Sequence, residues 1–462
     1  MRSKYSPPAP TVMSLDAGGS NCVFSTISNG EFLIPPFSRP TRGNCLEACL
    51  DTIVGGFEQM RRELGKEEAQ ALSFAFPGPA DYEKGVVAKL LNLPAFDGAF
   101  PLGPFLEEKF QLPVFMNNDG GLFALGEARY GFLPFLNAAL ASSSSSSSSS
   151  GPSSSSSSDS DSGSQDRPRC CCHLLGLTLG TGFGAGIVSE GKLWRGDNTA
   201  GGEIFLLRDF HKRDRFVEES VSIRGLRRSY AQRKGIPLEE SPEAREIYYI
   251  AKGKDAGSRE AAIEAFKDLA TAAADAIANA VTLLDCSVVI GGGLSEAWEF
   301  LLPTIVSEVN GSFGHGSNRA NGSDRADGSD RTDGSDQANG SDRTEGSNRA
   351  DGSDRADGSD QANGSDRADG SDRTDGHDRA DGSDRAGEHS RILQRAYGVD
   401  DSDGLAAFAR DGSKKLKVPD SDRWLCYEGE KKIAIGKSRL GASRAIFLGA
   451  YAFALEQLEK GR

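Results

Sequence analysis

At 462 residues the chain is long enough for two or three domains, but two low-complexity tracts add length without adding core. The formal charge of −14 is concentrated in one of them: residues 316–387 hold 10 Arg against 18 Asp and Glu, which leaves −6 for the rest of the chain. Such mild acidity argues against a nucleic-acid binder, which presents a clustered basic face to phosphate backbones, and points to a small-molecule partner.

Residues 1–10 read as a short disordered lead. Residues 11–15 form a strand, residues 16–21 a glycine-rich turn, and residues 22–27 a returning strand, together a β-hairpin. Residues 46–64 carry apolar side chains at helical spacing, and residues 71–76 are a short apolar strand stopped by Pro77-Gly78-Pro79. A further strand at 114–116 delivers Asn117, Asn118 and Asp119 to its C-terminal end, and a helix follows at 122–130. Beyond an almost pure serine tract at 143–158, a strand at 174–179, a turn at 180–184 and a strand from 185 repeat the first hairpin. Residues 261–284 are alanine-rich and helical, residues 288–290 are a buried strand, and Gly291-Gly292-Gly293-Leu294-Ser295 opens the next helix. The last helix lies at about 441–460. Strands alternating with helices argue for an α/β class.

The serine tract and the hexapeptide array at 316–387 cannot bury enough apolar surface to offset the entropy of ordering them, so both read as disordered. Removing them leaves roughly 370 residues, the size of two compact domains. The array is tolerable as a surface loop because closure costs only about 0.6 kcal/mol per doubling of length. Cys22, Cys45, Cys49, Cys170, Cys171, Cys172, Cys286 and Cys426 lack a framework spacing and no signal-like segment is present, which implies a reduced cytosolic setting. No run approaches the roughly 20 apolar residues of a membrane span.

Three glycine-rich turns carry the chemistry. Only glycine lets backbone N–H groups approach phosphate oxygens without a Cβ in the way, and Thr181 adds a hydroxyl donor within residues 180–184. Asn118-Asp119 lies just past a strand end, where a carboxylate can take a proton from an alcohol while the neighbouring amide orients it. The same Asn-Asp-Gly segment also reads as a cap for the following helix. Cys170-Cys171-Cys172-His173 reads as the end of a linker running into a strand, since consecutive cysteines cannot all face one ion.

Taken together, Leu15-Asp16-Ala17-Gly18-Gly19-Ser20-Asn21, Phe76-Pro77-Gly78-Pro79, Asn92-Leu93-Pro94, Asn118-Asp119-Gly120, Leu179-Gly180-Thr181-Gly182-Phe183-Gly184, Gly202-Glu203-Ile204 and Val289-Ile290-Gly291-Gly292-Gly293-Leu294-Ser295 resemble the ROK family of sugar kinases, from about residue 12 to residue 458. The resemblance implies a two-lobed, actin-like ATPase (ribonuclease H-like) fold. One lobe would span 11–140 with the helix at 441–460 packed back on it. A disordered insertion at 141–170 would lead into a second lobe at 171–440, itself interrupted at 311–390. It implies ATP and magnesium, with Asp16, Gly18, Gly19, Ser20 and Asn21 as a first phosphate loop and Asp16 acting indirectly on the metal. Gly180, Thr181, Gly182 and Gly184 would form the second phosphate loop, and Gly292, Gly293 and Leu294 the adenosine-side turn. Asn118, Glu203, Asn92 and either Glu218 or Glu219, which precede Ser222, would bind the sugar, with Asp119 as general base, probing a hexose hydroxyl expected to be the 6-OH.

The sequence departs from the family where members with structural zinc carry a histidine three residues after the glutamate matching Glu203. Here that position is Leu206, and no Cys cluster follows, so zinc is not expected. The choice of sugar and the existence of a homodimer stay open. A sugar-sensing regulator and a kinase for another small acceptor are the competing readings. The ten or so residues before the first strand are too few for a helix-turn-helix, which favours an enzyme.

Overall fold

The structure, a computed structural model, describes residues 9–65, 68–90, 93–146, 170–210, 212, 214–313, 394–410 and 412–461. The bulk of the serine tract, the whole hexapeptide array and the lead at 1–8 lie outside the described residues, and so do the expectations of disorder placed on them. Two expected boundaries shift, because the helices before each tract run further than their composition implied.

Strands β1 (Thr11–Ala17), β2 (Asn21–Ser28), β3 (Glu31–Pro40) and β4 (Ala71–Ala75) are followed by a small hairpin, β5 (Ala80–Asp81) and β6 (Val86–Val87), and then by β7 (Val114–Asn117). Five of them form one sheet in the order β3-β2-β1-β4-β7. The first three are antiparallel neighbours, and β4 and β7 run parallel to β1. Central β1 is buried along both faces, with Asp16 as its one half-buried position, which is why it reads as a continuous run rather than an alternating one. Strand β3 contains Pro35, Pro36 and Pro40 and was not legible as a strand. It is tolerated because it forms the sheet edge, where a missing N–H leaves no ladder bond unmade.

A second sheet repeats the plan. Strands β8 (His173–Leu179), β9 (Phe183–Ser189) and β10 (Lys192–Trp194) make an antiparallel meander. Next come β11 (Ser287–Gly291), β12 (Gln394–Gly398), an exposed hairpin of β13 (Lys414–Lys417) and β14 (Trp424–Tyr427), and β15 (Lys431–Lys437). The order is β10-β9-β8-β11-β15-β12, with β11, β15 and β12 continuing in parallel from β8.

Helices α1 (Leu46–Leu64) and α2 (Leu102–Phe110) cover the first sheet. Phe57 of α1 sits at the centre of their core, 5.8 Å from Phe24, 5.9 Å from Phe74 and 5.7 Å from Phe110 between ring centroids. Each such ring, fully buried, stabilises by about 1.5–3 kcal/mol. Helix α3 (Asp119–Tyr130) leads into α4 (Phe132–Ser146), so residues 141–146 continue a helix instead of starting the insertion. Buried Leu133, Leu136 and Leu140 anchor α4, and a helix once nucleated propagates cheaply into serine. Helices α7 (Arg259–Leu284) and α8 (Trp298–Phe313) share one core with the second sheet, α9 (Ser402–Ala409) packs on β12 and β15, and α5 (Ile223–Lys234) and α6 (Ala244–Ala251) pack in turn on α7. Residues 311–313 thus belong to α8, anchored by buried Leu301, Ile305 and Val309.

The last helix, α10 (Ala442–Lys460), crosses α3. A Cβ added at Gly449 would stand 1.8 Å from the Leu122 carbonyl oxygen, and one at Gly126 would stand 1.9 Å from that of Ala445. Only bare backbone permits so close a crossing. Helix α10 also lies on β1 and β4: Ser73 Oγ donates to the Ala450 carbonyl at 2.7 Å, and Phe447, Leu448, Tyr451 and Ala454 share a core with Val12, Ile27 and Ala71. Glu127, fully buried in α3, accepts from the backbone N–H of Phe132 at 2.9 Å, of Leu440 at 3.0 Å and of Arg439 at 3.3 Å, and from the Ser438 hydroxyl. It fastens the α3–α4 junction to the turn that enters α10.

Candidate active site

Strand register brings three distant segments to one sheet end. Asp16 in β1 is level with Ala75 in β4, and Ala75 is level with Asn117 in β7. Asn118 and Asp119 therefore emerge at the edge that carries Asp16, the C-terminal end of the parallel strands where α/β sheets place their chemistry. Asp16 lies inside β1 rather than in the turn to which the residues alone assigned it. Burial, and after it the charge of Asp119, raises its carboxyl from 3.8 to about 6.

Asn118 caps α3 through its Oδ1, which accepts from Gly121 N at 2.6 Å. The capping reading of this segment is therefore real, and it uses the oxygen end of the amide. Asp119 opens the helix, exposed, with Oδ1 accepting from Gly120 N at 2.9 Å. A carboxylate in the first helical turn is favoured by the helix dipole. Gly120 rests on β9: a Cβ there would meet the Ala185 carbonyl oxygen at 2.6 Å. The N-terminus of α3 is thereby set directly beside the second sheet's hairpin.

Glu203 precedes a 3-10 turn, Ile204–Leu206. Burial and then the Asp119 charge raise its carboxyl above the ordinary range. Tyr82, which sequence reasoning passed over, belongs to the same group. It is buried, its hydroxyl donates to the Phe76 carbonyl at 3.0 Å, and burial followed by the charges of Asp119 and Glu203 pushes its phenol upward. The only signal in the sequence is its place shortly after Pro77-Gly78-Pro79. Asn92 lies outside the described residues.

The turn between β1 and β2 is pinned rather than loose. Gly18 N donates to the Asn21 carbonyl at 2.9 Å, and buried Thr41 holds both sides, its N–H on the Ser20 carbonyl at 3.0 Å and its hydroxyl on the Gly18 carbonyl at 2.7 Å. Gly19, Ser20 and Asn21 are left exposed at the tip. In the second hairpin Gly180 N donates to the Gly182 carbonyl at 3.0 Å, and Ile223 N at the start of α5 reaches the Gly180 carbonyl at 2.8 Å. Thr181 is exposed and Gly184 half-buried. Gly291 lies level with Thr178. Gly292 follows with φ +88°, and a Cβ there would be 2.3 Å from the Leu179 carbonyl oxygen, so the third glycine turn sits against the second. Leu294 is buried in the core.

Glu218 and Glu219 part company. Glu218 lies in the 3-10 turn Val217–Glu219 and its Oε2 accepts from Phe183 N at 2.9 Å, buttressing the turn at 180–184. Glu219 is engaged by Arg224 and by Arg228 at 3.0 Å. Ser222 caps α5, accepting from Gly225 N at 3.2 Å. Leu206 is 49% exposed.

These residues fit a magnesium–nucleotide. At Gly180 and Gly293 an added Cβ would meet no atom within 4 Å, so bare backbone faces open space, as phosphate oxygens require. Magnesium is usually held by one or two carboxylates together with water and phosphate, and half-buried Asp16, whose charge burial disfavours, is suited to that. Among the described residues no three His, Cys, Asp or Glu side chains converge on one point. Cys171 exchanges hydrogen bonds with Asn137 of α4, its N–H donating to Oδ1 at 2.8 Å and its carbonyl accepting from Nδ2 at 3.0 Å. Among the described residues no helix is long and apolar enough to cross a membrane.

The model of the ROK family matches residues 166–320. The crystal structure of a glucokinase from Parabacteroides distasonis superposes with a TM-score of 0.70 at 36% identity, covering 98% of this chain and 99% of that one. An N-acetyl-D-glucosamine kinase from Vibrio vulnificus is 28% identical over 301 residues, 61% of this chain and 83% of the relative. A glucokinase from Halalkalibacterium halodurans is 25% identical over 317 residues, 63% and 83%. The α/β architecture, with its two sheets of repeated topology, is the actin-like ATPase fold, and the chain belongs to the ROK family.

Proposed function

We propose that the chain is an ATP-dependent sugar kinase that transfers the γ-phosphoryl group of ATP to the 6-hydroxyl of a hexose, with Asp119 as general base. The observation that carries this reading is the gathering of Asp16, Asp119, Glu203 and Tyr82 at one sheet end, next to the glycine turn that Glu218 buttresses. The kinase names of its relatives support it. We take residues 11–140 with α10 as one lobe and residues 171–440 as the other, the two substrates meeting between them in a cytosolic enzyme.

In this mechanism Asn118 and Glu203 orient the sugar, and Asp119 takes the hydroxyl proton as the sugar oxygen bonds to phosphorus and the bond to the ADP oxygen breaks. Positioning and charge neutralisation account for most of the catalysis of phosphoryl transfer. Residues 180–184 and 292–294 hold the phosphates and the adenosine side, and the turn at 18–21 closes over the phosphates from the first sheet. Bound magnesium supplies neutralisation of the phosphate charge, with Asp16 the carboxylate that would hold its water shell.

The test is a coupled ADP-release assay over glucose, fructose, mannose, N-acetylglucosamine and N-acetylmannosamine, with wild-type and Asp119→Asn protein side by side. ADP release with at least one sugar, lost in the variant, is the expected result. Near wild-type turnover by Asp119→Asn sinks the base assignment, and release with non-sugar acceptors alone moves the reading to a kinase for another small molecule.

A further inference from the structure

Between Glu203 and Glu218 the chain makes a narrow loop that closes on itself. Val217 N donates to the Leu207 carbonyl at 2.7 Å, Asp209 N donates to the Arg215 carbonyl at 2.9 Å, and Arg208 pairs with Phe216 in an isolated antiparallel bridge. Apolar packing holds the two ends, where Ile204 and Val217 are buried, but not the stretch between them, where Leu206, Leu207, Phe210 and Phe216 are 49%, 38%, 52% and 54% exposed. What the loop buries is a carboxylate: Asp209 is 1% exposed. Its Oδ1 accepts from Lys212 N at 3.3 Å and its Oδ2 from the Ser220 hydroxyl.

We propose that Asp209 is a positioning residue for the acceptor, its carboxylate locking the turn that carries Glu203 to the turn that carries Glu218. The two ends of the lock are short. Asp209 lies three residues beyond Ile204–Leu206, and Ser220 directly follows Val217–Glu219. Ser220 N also donates to the Val217 carbonyl at 3.0 Å, so a pull on its hydroxyl is felt through the turn that aims Glu218 at Phe183. A buried carboxylate is a costly way to close a surface loop unless its acceptor bonds are filled. Filled, they fix the loop in one geometry, which a catalytic site needs to within a fraction of an ångström. The inference rests on the reading of Glu203 as an acceptor-side group. Of the nucleotide-side turns, residues 180–184 share the Glu218 contact at Phe183 N but keep a second anchor, Ile223 N on the Gly180 carbonyl, and Gly292 sits against Leu179, so loosening the lock is felt first on the acceptor side.

The experiment compares wild-type, Asp209→Ala, Asp209→Asn and Ser220→Ala proteins, well below their unfolding temperatures, with D-glucose and N-acetyl-D-glucosamine as acceptors. Loss of the hydrogen bonds to this buried carboxyl group raises the KM for sugar by about tenfold to a hundredfold in Asp209→Ala while the KM for ATP changes by less than about threefold. Asp209→Asn, whose amide can still accept from Lys212 N and donate to Ser220, recovers most of that change, and Ser220→Ala falls between. Mere destabilisation would shrink the active fraction and leave KM untouched. A second measurement, amide hydrogen exchange, expects faster exchange at Asp209 and Val217 in Asp209→Ala with the α7 amides unchanged. An unchanged sugar KM in an active Asp209→Ala enzyme, or unchanged exchange in the loop, overturns the positioning role. A wild-type protein that releases no ADP with these two sugars or with fructose, mannose and N-acetylmannosamine instead overturns the acceptor reading beneath it, and the exchange data show separately whether Asp209 closes the loop.

Discussion

Replacing Asp16 by asparagine removes a charge that the nucleotide-free fold holds at a cost. Burial, and secondarily Asp119, raises this carboxyl from 3.8 to about 6. A folded-state value above the unfolded one means that the folded protein binds the proton more tightly, so folding is penalised once the group must ionise. Near pH 3 Asp16 is protonated in both states, and the wild type and Asp16→Asn match in stability. The gap opens as pH rises from about 4 to about 6 and is complete above it. At 1.36 kcal/mol per unit, Asp16→Asn is more stable at pH 7 by up to about 3 kcal/mol. Urea unfolding at pH 4 and pH 7, with EDTA present, measures the gap directly. Adding magnesium and ADP should narrow it, because a cation beside Asp16 favours the ionised carboxylate of the wild type. A variant no more stable than wild type at pH 7, or a gap equal at pH 4 and pH 7, refutes the reasoning.

Asp119→Asn should lower turnover by about 10²- to 10⁴-fold, the usual contribution of a general base, while calorimetric binding of ADP stays within a few-fold of wild type. Gly449→Ala puts a methyl group 1.8 Å from the Leu122 carbonyl oxygen; forcing α3 and α10 apart should cost about 1–3 kcal/mol or more, seen as a lower thermal midpoint, and an unshifted midpoint would mean that the crossing is looser than described. Tyr82→Phe deletes the hydrogen bond to the Phe76 carbonyl, which should cost about 1 kcal/mol of stability and raise the KM for sugar more than that for ATP; an effect confined to ATP would remove Tyr82 from the acceptor side.

The parts of the site that were legible in the sequence are those whose chemistry is local. Glycine turns announce themselves by composition alone, although only at Gly292, with φ +88° and a Cβ that would stand 2.3 Å from the Leu179 carbonyl oxygen, do backbone angle and crowding together call for glycine, and Asn118-Asp119 follows a short apolar strand in plain view. Tyr82 was illegible because its proximity to Asp119 and Glu203 arises from the return of the loop after β4, which no periodicity encodes. Asp16 was assigned to a turn because an aspartate before two glycines reads as one; its pairing with Val23 and Ala75 is settled by the neighbouring strands. Strand β3 was hidden by its prolines, which matter only once it is known which strand is at the edge. The α3–α10 crossing was equally invisible, since Gly126 and Gly449 sit in helices where a glycine by itself signals only weakness.

Glu127 makes two stretches of chain more than 300 positions apart answerable to one another. Its four donors are neutral, three backbone groups and one hydroxyl, so substituting an apolar side chain at Ser438 would leave part of a buried carboxyl group unsatisfied inside the helix that begins with Asp119. Residues 127 and 438 therefore form a linked pair for sequence design: a library that varies the turn into α10 while holding Glu127 fixed will discard variants that fail for reasons invisible in that turn, and a library that varies both together can recover them.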